Sequence, residues 1–148
     1  MILAINIVAP EGHILTADAV RTIDGKPFGS TFQIVRPEGW SLPPSFPITT
    51  QRAERFGIGQ RYALRLIVEM VRTVRVIVGY DLERQAALIA AVMGDPDWIG
   101  PGVRRVCIAK DRGHASFDDA LTFHSIGKTG ALGALALYSA LKAKGTVE

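Results

Sequence analysis

The first eight residues, Met1-Ile2-Leu3-Ala4-Ile5-Asn6-Ile7-Val8, contain one polar side chain, so a strand built from them is apolar on both faces. A strand with one face in water alternates; a strand apolar on both sides belongs in the middle of a covered sheet. No other feature constrains the fold as strongly. The stretch has neither the basic start nor the small-residue cleavage site of a secretory leader, and it reads as structure.

The segments that follow supply the cover. Pro10-Glu11-Gly12 breaks the first strand, and a second runs from about Ile14 to Ile23. Asp24-Gly25-Lys26 is a hairpin signal, and a third strand from about Phe28 to Val35 ends at Arg36-Pro37. Short turns between three strands predict an antiparallel meander. Pro37, Pro43, Pro44 and Pro47 make the next stretch an extended loop. Thr49 or Thr50 caps a short helix through Phe56, which Gly57 and Gly59 stop. From Gln60 to Arg72, Ala63, Ile67, Met70 and Val71 share a helical face with Val74, while Arg61, Arg65, Glu69 and Arg72 lie elsewhere.

Val74 to Val78 reads as a buried strand. Asp81 caps a helix through Val92, which Gly94-Asp95-Pro96 closes, and Val103 to Ala109 is the last strand. Ser116 opens a helix over residues 117–121, and residues 131–143 form a helix apolar almost all round, hence largely buried. This order predicts an α/β chain with a mixed five-stranded sheet: a three-strand antiparallel meander, then parallel strands, flanked by helices. No linker, repeat or low-complexity tract interrupts residues 1–148, so one domain is expected.

Composition narrows the partners. No apolar run approaches the roughly 20 residues that span a bilayer, so no membrane association is expected. Lys and Arg number 17 against 14 Asp and Glu, a net charge of +3. That balance is compatible with nucleic acid, but no dense basic cluster strengthens it. The one cysteine, Cys107, permits no internal disulfide, and the expected location is cytoplasmic.

Several strings resemble the DnaQ-like 3′–5′ exonucleases of the RNase H-like superfamily. Arg36-Pro37-Glu38-Gly39-Trp40, then Pro43-Pro44, then Ile48-Thr49-Thr50-Gln51-Arg52-Ala53-Glu54-Arg55-Phe56-Gly57 is similar to the segment after that family's third strand. Val76-Ile77-Val78-Gly79-Tyr80 stands where the family has a buried strand ending in His-Asn. Trp98 with Cys107, and Ala131-Leu132 with Ala134 and Tyr138-Ser139-Ala140-Leu141, resemble its later elements. The likeness covers nearly the whole chain and implies the three-layer RNase H-like fold.

The resemblance also implies a site, and there the chain departs from the pattern. The family uses four carboxylates and a histidine, with two metal ions roughly 3.5–4 Å apart clamping the reacting oxygens. Its first strand ends Asp-x-Glu, a spacing that puts both acids on one side of the strand; by position those slots hold Asn6 and Val8. The second motif lands on Tyr80-Asp81-Leu82-Glu83-Arg84, with Arg84 in the acid's place, or Glu83 after a one-residue shift. The third, His-x₄-Asp, falls on Ser125 and Gly130, or on His124 and Thr129 after a slip. The implied reading is a degenerate exonuclease domain without catalytic residues, metal or other cofactor, kept for binding single-stranded nucleic acid or a replication or repair protein.

Two further readings stand beside it. One is an active, magnesium- or manganese-dependent nuclease with a rearranged site drawn from Asp81, Glu83, Asp118 or Asp119. The other is a structural or homo-oligomerising module. For nucleic acid, the candidate contacts are Arg84, Arg104, Arg105, Lys110, Arg112 and Lys128, with a second basic set of Arg61, Arg65, Arg72, Arg75 and Arg84; a solvated surface explains each set as well. Trp40 and Trp98 are candidate stacking platforms if exposed, although Trp40 is expected to pack under the proline loop. His13, His114 and His124 are too scattered for a zinc site. Asp118-Asp119 reads as helix N-terminal charge. Gly127-Lys128-Thr129-Gly130 lacks the frame of a phosphate loop.

Overall fold

The chain, as a computed structural model, is described over residues 1–109, 116–123 and 126–145, without the side chains of 122 and 123. Its first strand, β1 (Ile2–Val8), is the centre of a five-stranded sheet. The order is β3 (Lys26–Ile34), β2 (Thr16–Ile23), β1, β4 (Val76–Gly79), β5 (Arg104–Cys107). β3, β2 and β1 form the antiparallel meander, and β1, β4 and β5 run parallel. The mixed sheet expected from the sequence is therefore present.

The two-sided apolarity of β1 is used on both faces. Leu3, Ile5 and Ile7 are buried against α2 (Gln60–Val71) and α3 (Leu82–Met93), together with Ala17, Ala19 and Ile77. Each leucine or isoleucine buried in this way stabilises the fold by about 1.5–3 kcal/mol. On the opposite face Ala4 packs with Val20 and with Ala131 of α5 (Gly130–Ala143). Val78 and Ile108 meet α5 and α4 (Phe117–Phe123) through Leu121, Leu137, Tyr138 and Leu141. Three layers result. The amphipathic stripe of α2 buries Ala63, Leu64, Ile67 and Val71 as its spacing demands.

Local signals behave as their chemistry predicts, with some differences. Asp24 and Gly25 both have left-handed φ, which is the primed turn that suits a two-residue hairpin, and Ile23 pairs with Lys26 around it. Thr49 caps α1 (Thr50–Phe56) by accepting from the Arg52 N–H at 3.2 Å. Asp81 stands at the start of α3, but its carboxylate accepts from Arg84 Nε at 2.8 Å and leaves the helix backbone uncapped. Ser116 caps α4: its hydroxyl accepts from the Asp119 N–H and donates to the Asp119 carboxylate. α5 is less buried than its composition suggests, since Leu132 is 41% exposed.

Trp98 is only 5% exposed and its indole N–H donates to the Ala86 carbonyl, so it offers no platform for a base. Trp40 is half-buried beside Leu15, Leu42 and Ala53 and stacks on His13 at 4.9 Å, in keeping with its expected place under the loop. Among the described residues, no helix is long and apolar enough to cross a membrane.

Candidate functional site

In sheets of this kind ligands gather beyond the carboxyl ends of parallel strands. β4 pairs with β1 only at Ile2, Leu3 and Ala4, and ends at Gly79, so the last four residues of β1 run on alone on that side. The freed Ile7 N–H is buried, and Gln85 of α3 accepts its hydrogen bond at 2.8 Å. Gln85 is itself buried and sits in the apolar stripe of Leu82, Ala86 and Ile89. A Cβ on Gly79 would press on Gln85 and Leu82 at 3.3 Å, so the strand's end is closely fitted to that amide.

Asn6 and Val8 lie along this free end, half-buried, on the face that carries α5. Their cross-strand partners are Asp18 and Thr16. The Asp18 carboxylate accepts from the Ala131 N–H at 2.7 Å and so caps α5 from another strand, where Thr129 supplies no side-chain bond. Gly130 makes this possible. Its φ of +59° is left-handed, and a Cβ there would run into the Asp18 oxygen. Burial raises the Asp18 pKa above its ordinary value, and the Ala131 hydrogen bond pulls in the opposite direction.

Because the net shift is upward, the stability tied to Asp18 is fully present below the ordinary carboxyl range, about pH 4, and falls as pH rises through the folded-state value. Asp18→Asn keeps an oxygen for Ala131 without the buried charge, so it should gain stability relative to the parent between about pH 4 and 7. Asp18→Ala removes the cap and should lose about 1 kcal/mol. Urea midpoints across that range check both; a relative loss for Asp18→Asn as pH rises would mean the charged bond to Ala131 outweighs burial.

Tyr80 follows β4 and stacks on Phe117 of α4 at 5.1 Å. Burial raises its hydroxyl pKa, and the Asp119 and Asp81 carboxylates and Cys107 add to the rise. Asp81 pairs with Arg84 at 2.8 Å, Glu83 with Arg105 at 3.6 Å, and Asp119 with Ser116. Among the described residues no three His, Cys, Asp or Glu side chains form a metal-ligating group.

The basic residues divide. Arg104 and Arg105 are neighbours on β5 and project to opposite faces; Arg104 reaches the Tyr138 hydroxyl of α5 at 3.4 Å, and Arg105 meets Glu83 of α3. They do not line one groove. Lys128 is exposed just before α5. Arg61, Arg65 and Arg72 line a cleft of about 500 Å³ with Glu69 and Asp95, apart from Arg75 and Arg84. Lys110, Arg112, Asp111, His114, His124 and Ser125 fall outside the described residues.

Asp18 and Gln85 were not singled out from the sequence. Each left a signal there: a carboxylate set between two alanines within a strand, and an amide inside the apolar stripe of a helix.

No protein-family model matches the chain. No curated protein matches it either. Among solved structures it is similar to Escherichia coli exonuclease I in complex with a 5cy-dA13 oligonucleotide, with a TM-score of 0.73 at 15% identity. It is also similar to a product-bound exonuclease I (TM-score 0.74, 14% identity) and to an SSB/exonuclease I structure in complex with the inhibitor CFAM (TM-score 0.74, 15% identity). The matches cover 96% of this chain and 40%, 43% and 41% of the others, so the chain spans about two-fifths of their length. The likeness establishes an exonuclease-like α/β fold.

Proposed function

We propose that this chain is a degenerate exonuclease-type domain that binds single-stranded nucleic acid and does not hydrolyse it. The observation that carries the reading is the end of β1, where Asn6 and Val8 occupy the face toward α5 and the adjacent carboxylate, Asp18, is committed to the Ala131 N–H. A pair of hard divalent ions needs several anionic oxygens converging on one small volume. An amide, an isopropyl group and a carboxylate bound to a helix terminus do not fit that requirement.

The same substitutions favour binding without cleavage. A cleft with fewer carboxylates repels phosphate less, and a strand can rest there with its counterions displaced by lysine and arginine. The oligonucleotide in the exonuclease I structure belongs to that protein, and it supports nucleic acid as the ligand class here. The rearranged metal site has one observation in its favour, the approach of Asp81 and Asp119 to Tyr80. Against it, Asp81 is held by Arg84, Glu83 by Arg105 and Asp119 by Ser116.

A fluorescent single-stranded oligonucleotide incubated with the protein and magnesium or manganese should stay at full length. In fluorescence anisotropy it should bind with an affinity that falls with salt, by a slope of about 0.7 per phosphate contacted. Asn6→Asp with Val8→Glu should not bring cleavage. Metal-dependent release of nucleotides by clean protein, or no binding at low salt, would overturn the reading.

A further inference from the structure

The sheet face that carries Asn6 and Val8 continues outward from β1. Asn6 pairs with Asp18 on β2, and Asp18 with Phe32 on β3, so the three share one face in a row about 10 Å long. The next row is Val8, Thr16 and Ile34. β3 is an outer strand, and Phe32 is 60% exposed upon it. One same-face step along, Ile34 lines a cavity of about 400 Å³ with Ile48, Arg52 and Phe56, and Phe56 is 62% exposed.

Single exposed apolar residues are commonplace, but here one exposed ring, Phe56, lines a shallow cavity and a second, Phe32, lies one same-face step along β3 from Ile34 in its wall. Their neighbours identify what they suit. The Arg55 guanidinium sits over the Phe56 ring, 5.3 Å from its centroid. Arg52 precedes Phe56 by four residues, one helical turn, and lines the same cavity. Glu54 falls on the far side of α1 by the helical period, about 160° from Arg52. Flat π faces with guanidinium groups at the rim are what unpaired bases and their phosphates require.

We infer that the shelf of Phe32, Ile34, Ile48, Arg52 and Phe56 stacks the unpaired bases of single-stranded nucleic acid as it leaves the β1 cleft, with Arg52 and Arg55 on the backbone. This rests on the binding function proposed above and adds the path of the strand. Recognition is by ring faces and phosphates, so it is indifferent to base sequence. The Asp18 charge beside the path is directed into the start of α5.

The test is anisotropy titration of an oligothymidylate of about 12 nucleotides, within the span one small nucleic-acid-binding domain occupies. Phe32→Ala and Phe56→Ala should each weaken binding about thirtyfold, the middle of the range for a lost base–ring stack. Arg52→Gln should reduce the salt slope by about 0.7. Both phenylalanines are exposed, and circular dichroism with melting curves identifies any variant that misfolds. Photo-cross-linking with iodouracil provides a second readout, with adducts expected on peptides containing Phe32 or Phe56. If the parent protein binds and all three variants bind equally well with no cross-link at the shelf, the inference fails and the function stands. If the parent binds nothing at low salt, both fail. If the alanine variants instead lose self-association at unchanged oligonucleotide affinity, the shelf belongs to a second copy of the chain, and the inference is overturned.

Discussion

Gly130→Asp should destabilise the protein by about 2–4 kcal/mol and should not create a working acid. The register proposed from the sequence puts Gly130 where the exonuclease family carries a metal-binding aspartate, so this substitution restores the family's residue type. Its surroundings no longer admit it. The backbone at Gly130 has a φ of +59°, and a Cβ there would occupy the space of the Asp18 oxygen that caps α5. The new side chain therefore adds left-handed strain, displaces the carboxylate that satisfies the Ala131 N–H, and sets a second negative charge beside the first. Urea unfolding measures the loss. Because strain and displacement are separable, the double variant Asp18→Ala with Gly130→Asp decides between them. It should be destabilised by less than the sum of the two single changes, since the clash is then absent. Strict additivity would mean that Asp18 and residue 130 do not share the space described.

The same comparison explains what was legible beforehand. The central place of β1 followed from apolar side chains on both faces, and the hairpin from Asp24-Gly25, because both depend on residues adjacent in sequence. The buried stripe of α2 followed from a period of 3.6. The contacts that shape the cleft do not have that property. Asp18 meets Ala131 across 113 positions, and Gln85 meets Ile7 across 78. Nothing local says that a strand carboxylate caps a distant helix, or that a helical glutamine closes the end of a strand. The parity of Arg104 and Arg105 was legible, since neighbours on a strand face opposite ways; their separate partners, Tyr138 and Glu83, were not. The shelf was beyond reach for another reason: Phe32 and Phe56 are unremarkable until β3 proves to be the outer strand and α1 is laid beside Ile34.

Gly57→Ala is the other substitution with a large expected cost, about 3 kcal/mol. At this chain length that corresponds to a fall in Tm of roughly 6–12 °C. The sequence presents Gly57 as a helix stop, and it does end α1, with its N–H donating to the Ala53 carbonyl at 2.8 Å. A helix stop that relies on glycine usually needs a left-handed backbone, but Gly57 has a φ of −72°, which alanine adopts freely. Glycine is needed there because a Cβ would overlap the Ala53 carbonyl oxygen and the backbone of Arg36. None of these atoms is the yielding tip of a side chain. Around that contact, Ile58 N–H donates to Ile34, Arg36 N–H donates to Ile58, and the Arg36 guanidinium donates to the Gly57 carbonyl. The whole seam between α1 and the exit of β3 must therefore open to admit one methyl group. Gly59 provides the control. It lies two residues on with a φ of −56°, and a Cβ there meets nothing within 4 Å, so Gly59→Ala should change stability by less than about 1 kcal/mol. Equal melting shifts for the two variants would show that the seam is loose. With a tight seam, Gly57→Ala also moves Phe56 and Ile58 away from β3, and oligonucleotide affinity should fall with it while Gly59→Ala binds like the parent.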